Sequence, residues 1–516
     1  MKTFCIAGPI IPQDHYYIPQ RLDWNQLHSF IEQKFYFVLH APRQSGKTTA
    51  VEEFVHYLNS NGKYAALYIN IEPAQAARDN AKEALIAIVE ELSNAIATQL
   101  HEQQEIADHL KGMIKIHPIT LSLLLNALRF FAQTSKRPVV LFIDEIDSLI
   151  GDSLLSVLRQ IRAGFNERPE RFPQSICLIG LRDVRDYRVW SKESGIYVST
   201  SSPFNIKAES LTLSNFTQEQ VKDLYLQHTA QTGQIFTDEA LDYAYYLTQG
   251  QPWLVNALAY QACFRDITDR NIPITKEIIE RSKETLIIRQ DTHLDSLFDK
   301  LNEERVRTII DPIISGSPEL ATFNLDDIKY VRDLGLIKKN MFAIANPIYQ
   351  EVIPRVLTSV LQEMVMQQRD WYVDSFGKLN MSKLLSAFTQ FFRENSQVWA
   401  QHVRYQESFP HLLLMAFLQR IINGGGTIHR EYALGTKRVD LFIAWKKQKF
   451  VIELKVNYGA DTLKYGLEQT AEYIDLCGAD EGHLVIFDRS PNKTWEEKIS
   501  HEVLSFHSKK INVWTL

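Results

Sequence analysis

Residues 35–51, FYFVLHAPRQSGKTTAV, limit what this chain can become more than any other stretch. The run 35–39 is apolar, aromatic and β-branched, as a buried strand requires, and Ser45-Gly46-Lys47-Thr48-Thr49 opens a helix. Between them lies the spacing of a phosphate-binding loop: one small residue, four more, then Gly-Lys-Thr, with Ala41 standing where glycine is usual. The backbone N–H groups from Arg43 through Gln44, Ser45, Gly46, Lys47 and Thr48 must converge on phosphate oxygens, together with the positive end of the helix. Gly46 lets the backbone approach, Lys47 reaches the terminal phosphates as a point charge, the Thr48 hydroxyl suits Mg²⁺, and Thr49 completes the candidate contacts. The competing reading is a glycine-containing turn with no ligand.

A second segment weighs against that turn. In RPVVLFIDEIDSL (137–149), residues 139–143 form an unbroken apolar run suited to a strand covered on both faces. Asp144 then falls at the strand end, where a metal-binding carboxylate belongs beside a phosphate loop, and Glu145 is placed to orient or deprotonate a water. Without a ligand, Asp144, Glu145 and Asp147 would be a solvated helix cap. Residues 64–71 and 176–181 read as further strands and 80–104 as one long helix, so strands alternating with helices predict an α/β parallel sheet. Arg182, just past 176–181, is a candidate sensor of the terminal phosphate, with a surface ion pair as its alternative.

Size and composition set the frame. A chain of 516 residues holds roughly two to four domains. Its 45% hydrophobic and 23% charged residues are those of ordinary globular protein. The longest apolar runs, such as 412–418, are far short of the roughly twenty residues a bilayer span needs, and Pro9 and Pro12 interrupt the start of the chain, so cytoplasm is expected. Cys5, Cys177, Cys263 and Cys477 form no CxxC pair and are expected to be reduced and mostly buried. In the arm at 8–22, Tyr16, Tyr17 and Arg21 would suit stacking on adenine, or simply packing on the domain.

Together, APRQSGKT, LFIDEID, ICLIGLRD and SSPFNIKAESLTLSNFT resemble prokaryotic AAA-like, STAND-related P-loop ATPases. The resemblance implies ATP with Mg²⁺ held by Thr48 and Asp144. Gly250-Gln251-Pro252 looks like the Gly-x-Pro element of that family's helical lid, which would set Pro252 near adenine; equally, it is a glycine helix stop with proline in the next first turn. Residues 301–358, with a short helix at 325–334, Gly335, a Lys338-Lys339-Asn340 turn and an extended 341–345, look like the winged helix that follows such ATPases. These pieces partition the chain into an ATPase core at 1–210, a lid at 211–300, a winged helix at 301–358 and a helical connector at 359–400 with the aromatic stripe Phe388, Phe391, Phe392 and Trp399.

Residues 401–516 carry a second chemical pattern. If Trp445 pairs with Phe450 across a Lys446-Lys447-Gln448-Lys449 turn, Ile443 meets Ile452 and Leu441 meets Leu454 on one apolar face. The other face then sets Asp440 opposite Lys455 and diagonal to Glu453. Two carboxylates with one ammonium suit a hard cation that keeps its waters, and the ammonium can stabilise a developing phosphorane; an ordinary salt-bridged hairpin is the alternative. Asp440 and Glu453-Leu454-Lys455 resemble the core of PD-(D/E)XK nucleases. Glu407 then matches the glutamate of that family's first helix, and Gln469 with Tyr473 match the helix after the lysine.

The expected architecture is therefore a P-loop parallel sheet with lid and winged helix, joined to an α/β restriction-endonuclease-like domain. The expected function is an ATP-responsive switch controlling a Mg²⁺-dependent nuclease, with Mn²⁺ as a substitute, fitting prokaryotic defence or mobile-element biology. The alternative is a nucleotide-dependent scaffold with an inactive nuclease fold. Residues 401–516 carry 15 Lys and Arg against 14 Asp and Glu, the first 400 residues 41 against 48. So mild a basic bias means that capture of nucleic acid, DNA ahead of RNA, calls for self-association or a partner protein.

Overall fold

Strands β1 (Tyr36–His40), β2 (Ala65–Asn70), β3 (Val139–Asp144) and β4 (Ser175–Gly180) are nearly all apolar because helices cover both of their faces. The computed structural model describes all residues except 116–120, 184–187, 192–195, 200–204, 290–298, 315–322, 358–371, 375, 403–413, 416, 419–425, 435–436, 458, 460, 489 and 491–492. The chain divides into two compact units, Met1–Arg289 with Lys329–Leu336, and Gln290–Ile328 with Ile337–Leu516.

In the first unit a two-stranded ribbon, β5 (Arg188–Ser191) and β6 (Ile196–Ser199), precedes β7 (Lys207–Thr212), which joins the free side of β1. The resulting sheet has the order β2-β3-β4-β1-β7, and every pairing in it is parallel. Alternate residues go to opposite faces. Leu39, Ala66, Val140 and Cys177 pack with α1 (Trp24–Glu32) and α2 (Lys47–Ser60). Val38, Leu67, Leu141 and Leu178 pack on the other side with α3 (Ala81–Gln99), α4 (Gln104–Ile114), α5 (Leu123–Thr134) and α6 (Gly151–Gly164).

The single helix expected over 80–104 is two helices. Asn80 caps α3 by accepting from Glu83 N, and the chain leaves helical geometry at Leu100 (φ −126°), whose side chain is buried in the core. A 3₁₀ turn follows, then α4. Helical propensity runs through this stretch, and burial of Leu100 overrides it. Beyond β7, the segment expected as a lid holds helices α7 (Gln218–Thr232), α8 (Asp238–Thr248), α9 (Pro252–Tyr260) and α10 (Lys276–Arg289).

In the second unit, helices Glu304–Ile314 and Pro347–Leu357 flank an antiparallel bridge between Ile337 and Ile344, closed by Lys338 N donating to Ala343 O. A mixed six-stranded sheet follows, built of β8 (Gly426–Leu434), β9 (Lys437–Trp445), β10 (Gln448–Val456), β11 (Glu481–Phe487), β12 (Ser500–Phe506) and β13 (Lys509–Thr515) in the order β12-β13-β11-β10-β9-β8. Helix Asp461–Cys477 crosses between the parallel strands β10 and β11 and buries Leu467, Ala471 and Ile474 against Leu484 and Ile511. On the opposite face, helix Met381–His402 packs Leu384, Leu385 and Phe388 against Ile443, Ile452 and Trp514. The segment expected as a connector thus contributes core to this sheet, and Phe391 and Phe392 pack at its edge.

The register of the β9–β10 hairpin corrects the expectation. Trp445 pairs with Gln448, Ile443 with Phe450 and Leu441 with Ile452, two residues out from the expected pairing. Lys446 takes φ +52°, which lets Lys446-Lys447 close a two-residue turn whose twist suits the strands. No Gly or Asn advertises that turn, which is why a four-residue loop reads equally well in sequence. A shift of two leaves Leu441, Ile443, Phe450 and Ile452 on their expected face, whereas Val439 packs instead with Phe442, Val451 and Tyr473, and it moves Asp440 from opposite Lys455 to beside Glu453.

Candidate functional site

The loop between β1 and α2 is built by two left-handed residues, Gln44 (φ +55°) and Gly46 (φ +86°), the second immediately before α2. Ala41 is buried, and its N–H donates to Gly180 O (3.3 Å), tying the loop to the end of β4. Arg43 and Gln44 are exposed at the loop tip, and Ser45 is buried with its Oγ lacking a hydrogen-bond partner. Lys47, the first residue of α2, is buried and donates from Nζ to Ala41 O (2.9 Å) and Pro42 O (3.2 Å). Burial lowers its pKa, against the pull of Asp144, Glu145 and Asp147.

Asp144 is no solvated cap: it is buried at the end of β3. Its Oδ2 accepts from Thr48 Oγ1 (3.0 Å) and from Tyr68 Oη (2.8 Å), and its Oδ1 accepts from Glu145 N (2.8 Å). Glu145 has φ +60°, a conformation costly for a non-glycine residue, and its carboxyl pKa is raised by burial, then by Asp147 and Asp144. A raised pKa suits a group that must take up a proton. Tyr68 is the residue that sequence reading missed; it lies 76 positions from its partner, and nothing local marks it out from the other strand residues.

Of the remaining candidates, Tyr16, Arg21 and Arg182 are each held by the surrounding fold. Tyr16 is fully buried against Phe4 and His228, with its hydroxyl donating to Gln231 Oε1 (2.5 Å), so it packs the arm rather than offering a stacking face. Arg21 donates to Ser45 O and Ser214 O and lies over Phe216 (4.5 Å), and burial lowers its pKa to about 10. Arg182 is buried rather than on the surface, with Nε 3.2 Å from Asp333 Oδ2 and its guanidinium over Tyr330. Thr49 Oγ1 accepts from Ile10 N (3.3 Å). Pro252 occupies the first turn of α9, where Gln251 caps Leu254 N (2.6 Å) and Gly250 (φ +70°) accepts from Phe216 N, so the local fold accounts for all three residues.

In the mixed sheet, Glu453 is buried and Lys455 Nζ donates to its Oε1 (2.6 Å). Its Oε2 has no hydrogen-bond partner. Burial, and next the Asp440 charge, push its pKa up to about 7. Asp440 Oδ2 accepts from Leu454 N (2.8 Å), so the two carboxylates and the ammonium do share one end of the hairpin. Gln469 and the buried Tyr473 lie on helix Asp461–Cys477, and Tyr473 packs with Val451 and Val439. Glu407 lies outside the described residues. Among the described residues no three His, Cys, Asp or Glu side chains cluster as a metal cage, and the pair here has the composition that leaves a hard cation its waters.

The parallel sheet, the loop leading into α2 and the carboxylate at the end of β3 define a P-loop ATPase-type domain. The chain belongs to the AAA-like domain family, whose model matches residues 6–352. Among solved structures it is similar to a Walker-type ATPase of Pyrococcus abyssi (15% identity, 68% of this chain and 99% of that chain, TM-score 0.47). It is also similar to the RuvB Holliday junction branch migration motor of Thermotoga maritima (15%, 61% and 87%, 0.31) and to Cdc6p of Pyrobaculum aerophilum (13%, 73% and 96%, 0.34). No curated protein matches the chain. Among the described residues no helix is long and apolar enough to cross a membrane.

Proposed function

We propose that the chain is an ATP-responsive nuclease: nucleotide bound at Lys47, Thr48 and Asp144 governs metal-dependent cleavage of nucleic acid, DNA ahead of RNA, at Asp440, Glu453 and Lys455. The observation that carries the nuclease half is Glu453 Oε2, a buried carboxylate oxygen with no hydrogen-bond partner beside a second carboxylate. A buried anionic oxygen without a donor costs free energy that a metal ion at Oε2 would offset, so the residues fit Mg²⁺ or Mn²⁺. The ion would supply an activated water. Lys455, held on Glu453 Oε1, is positioned to stabilise charge developing on a phosphate, while Gln469 and Glu407 retain the orienting roles that the nuclease resemblance gives them.

In the ATPase half, phosphate oxygens would replace the Ala41 and Pro42 carbonyls as partners of Lys47, and Glu145 would take a proton from the attacking water. The segment 301–358 serves as a winged-helix relay, and self-association or a partner supplies the nucleic-acid affinity that net charge does not. Helix Met381–His402 packs on the C-terminal sheet, which supports counting it with the proposed nuclease domain and not with a connector that ends at 400.

The test incubates purified protein with plasmid, linear duplex, single strands and RNA, with and without ATP and Mg²⁺ or Mn²⁺. Wild type should cleave, and Asp440→Ala, Glu453→Ala and Lys455→Ala should each lose about a hundredfold or more in rate while still binding ATP. Cleavage surviving in Asp440→Ala after stringent purification would remove the assignment. Tight binding without cleavage in every condition would make the protein a nucleotide-dependent scaffold instead.

A further inference from the structure

Tyr68 sits on β2, the edge strand of the parallel sheet, where backbone groups on the outer side lack a neighbouring strand. At this residue both are satisfied by one side chain: Tyr68 N donates to Gln99 Oε1 (3.0 Å), and Gln99 Nε2 donates to Tyr68 O (2.8 Å). Gln99 is the last residue of α3, the position where the expected long helix breaks. The tyrosine ring is buried among Phe142, Ala66 and Val140, and its hydroxyl reaches Asp144 Oδ2 at 2.8 Å, the oxygen that also accepts from Thr48.

We propose that Tyr68 is a positioning residue, anchored through its backbone by Gln99, that fixes the Asp144 carboxylate in the orientation in which it and Thr48 receive a divalent cation. The inference rests on reading Asp144 as the cation-facing carboxylate. The two donors on Oδ2 and the Glu145 N–H on Oδ1 determine the carboxylate plane, so losing the phenol lets it rotate. Hydrogen bonds behind a ligand commonly affect metal affinity about tenfold or more.

The experiment titrates the full chain with a fluorescent ATP analogue in Mg²⁺ and in EDTA and reads the ratio of the two affinities. Tyr68→Phe, which keeps the ring, should reduce the Mg²⁺ enhancement about tenfold, and Gln99→Ala, at an exposed side chain, should reduce it in the same direction by less. In an Asp144→Asn background Tyr68→Phe should cause no further loss, because the two act through one group. An enhancement equal to wild type in Tyr68→Phe, or a loss equal in Mg²⁺ and EDTA, would overturn the positioning role. If Asp144→Asn itself keeps the full enhancement, the cation-facing reading of Asp144 fails, and with it the inference.

Discussion

A buried lysine is tolerated only with acceptors around it, and Lys47 finds them in the carbonyls of its own loop. Removing its charge-assisted contacts to phosphate should cost about 1.5–3 kcal/mol. Lys47→Ala is therefore expected to weaken ATP binding by about ten- to a hundredfold in calorimetry. Glu145→Gln should bind ATP and hydrolyse it slowly, since the amide cannot accept the proton; equal affinity in wild type and Lys47→Ala would sink the loop assignment. Asp311, in helix Glu304–Ile314, gives a pH-dependent counterpart. It is buried with Arg307 Nε 3.5 Å away, and burial lifts its pKa to about 6 from an ordinary 3.8. The folded state thus holds the proton more tightly, and the stability this provides is complete below about pH 4 and lost as pH rises through 6. Asp311→Asn should stabilise the second unit by about 1–2 kcal/mol at pH 7.5, with the gain shrinking towards pH 5. A gain that grows on acidification in thermal melts would contradict this.

At the scale of elements, the β-hairpin and the lid show how backbone conformation fixes what side-chain pattern leaves open. The apolar alternation of β9 and β10 assigns faces, and those of Leu441, Ile443, Phe450 and Ile452 hold. The pairing depends on a turn formed by two lysines, one at positive φ, which carries no turn signature. Gly250 is the opposite case, where the residue type is informative and its reason lies elsewhere in the fold. A Cβ there would lie 1.9 Å from Phe216 O, in a backbone at φ +70°, whereas a Cβ on Gly233 (φ +79°) would meet nothing within 4 Å. Gly250→Ala should accordingly destabilise the lid by about 2–4 kcal/mol and Gly233→Ala by about 1, measured by denaturant unfolding. Similar costs at both positions would mean that the lid backbone yields to remove the clash.

At the scale of the whole chain, the location of the apolar face of helix Met381–His402 sets which fragments can fold. Leu384, Leu385 and Phe388 lie in the core of the mixed sheet, so a fragment starting at 403 would lose the helix and expose the sheet face that it covers. Residues 372–516 should give a cooperative thermal transition and residues 403–516 should not, as followed by near-ultraviolet circular dichroism and calorimetry. Cooperative folding of the shorter fragment would restore the helix to a linker role. Fragment 1–352, which contains the stretch 6–352 that matches the family, should keep ATP affinity if the first unit is sufficient for it.

Some features of this protein follow from local order in the sequence. The phosphate loop depends on adjacent residues, Gly46, Lys47 and Thr48, and a strand buried on both faces must be apolar throughout, so β1 and β3 were legible with Asp144 at the end of one of them. The carboxylates of β9 and β10 were legible for the same reason, since a strand alternates its side chains between faces at every residue. What is set by distant pairs was not legible. The phenol of Tyr68 on Asp144, Asp333 on Arg182 and the burial of Tyr16 under the lid each join residues far apart in the chain. Their geometry comes into being only when sheet, helices and lid have packed, because a hydrogen bond depends on distance in space and no spacing along the chain encodes it.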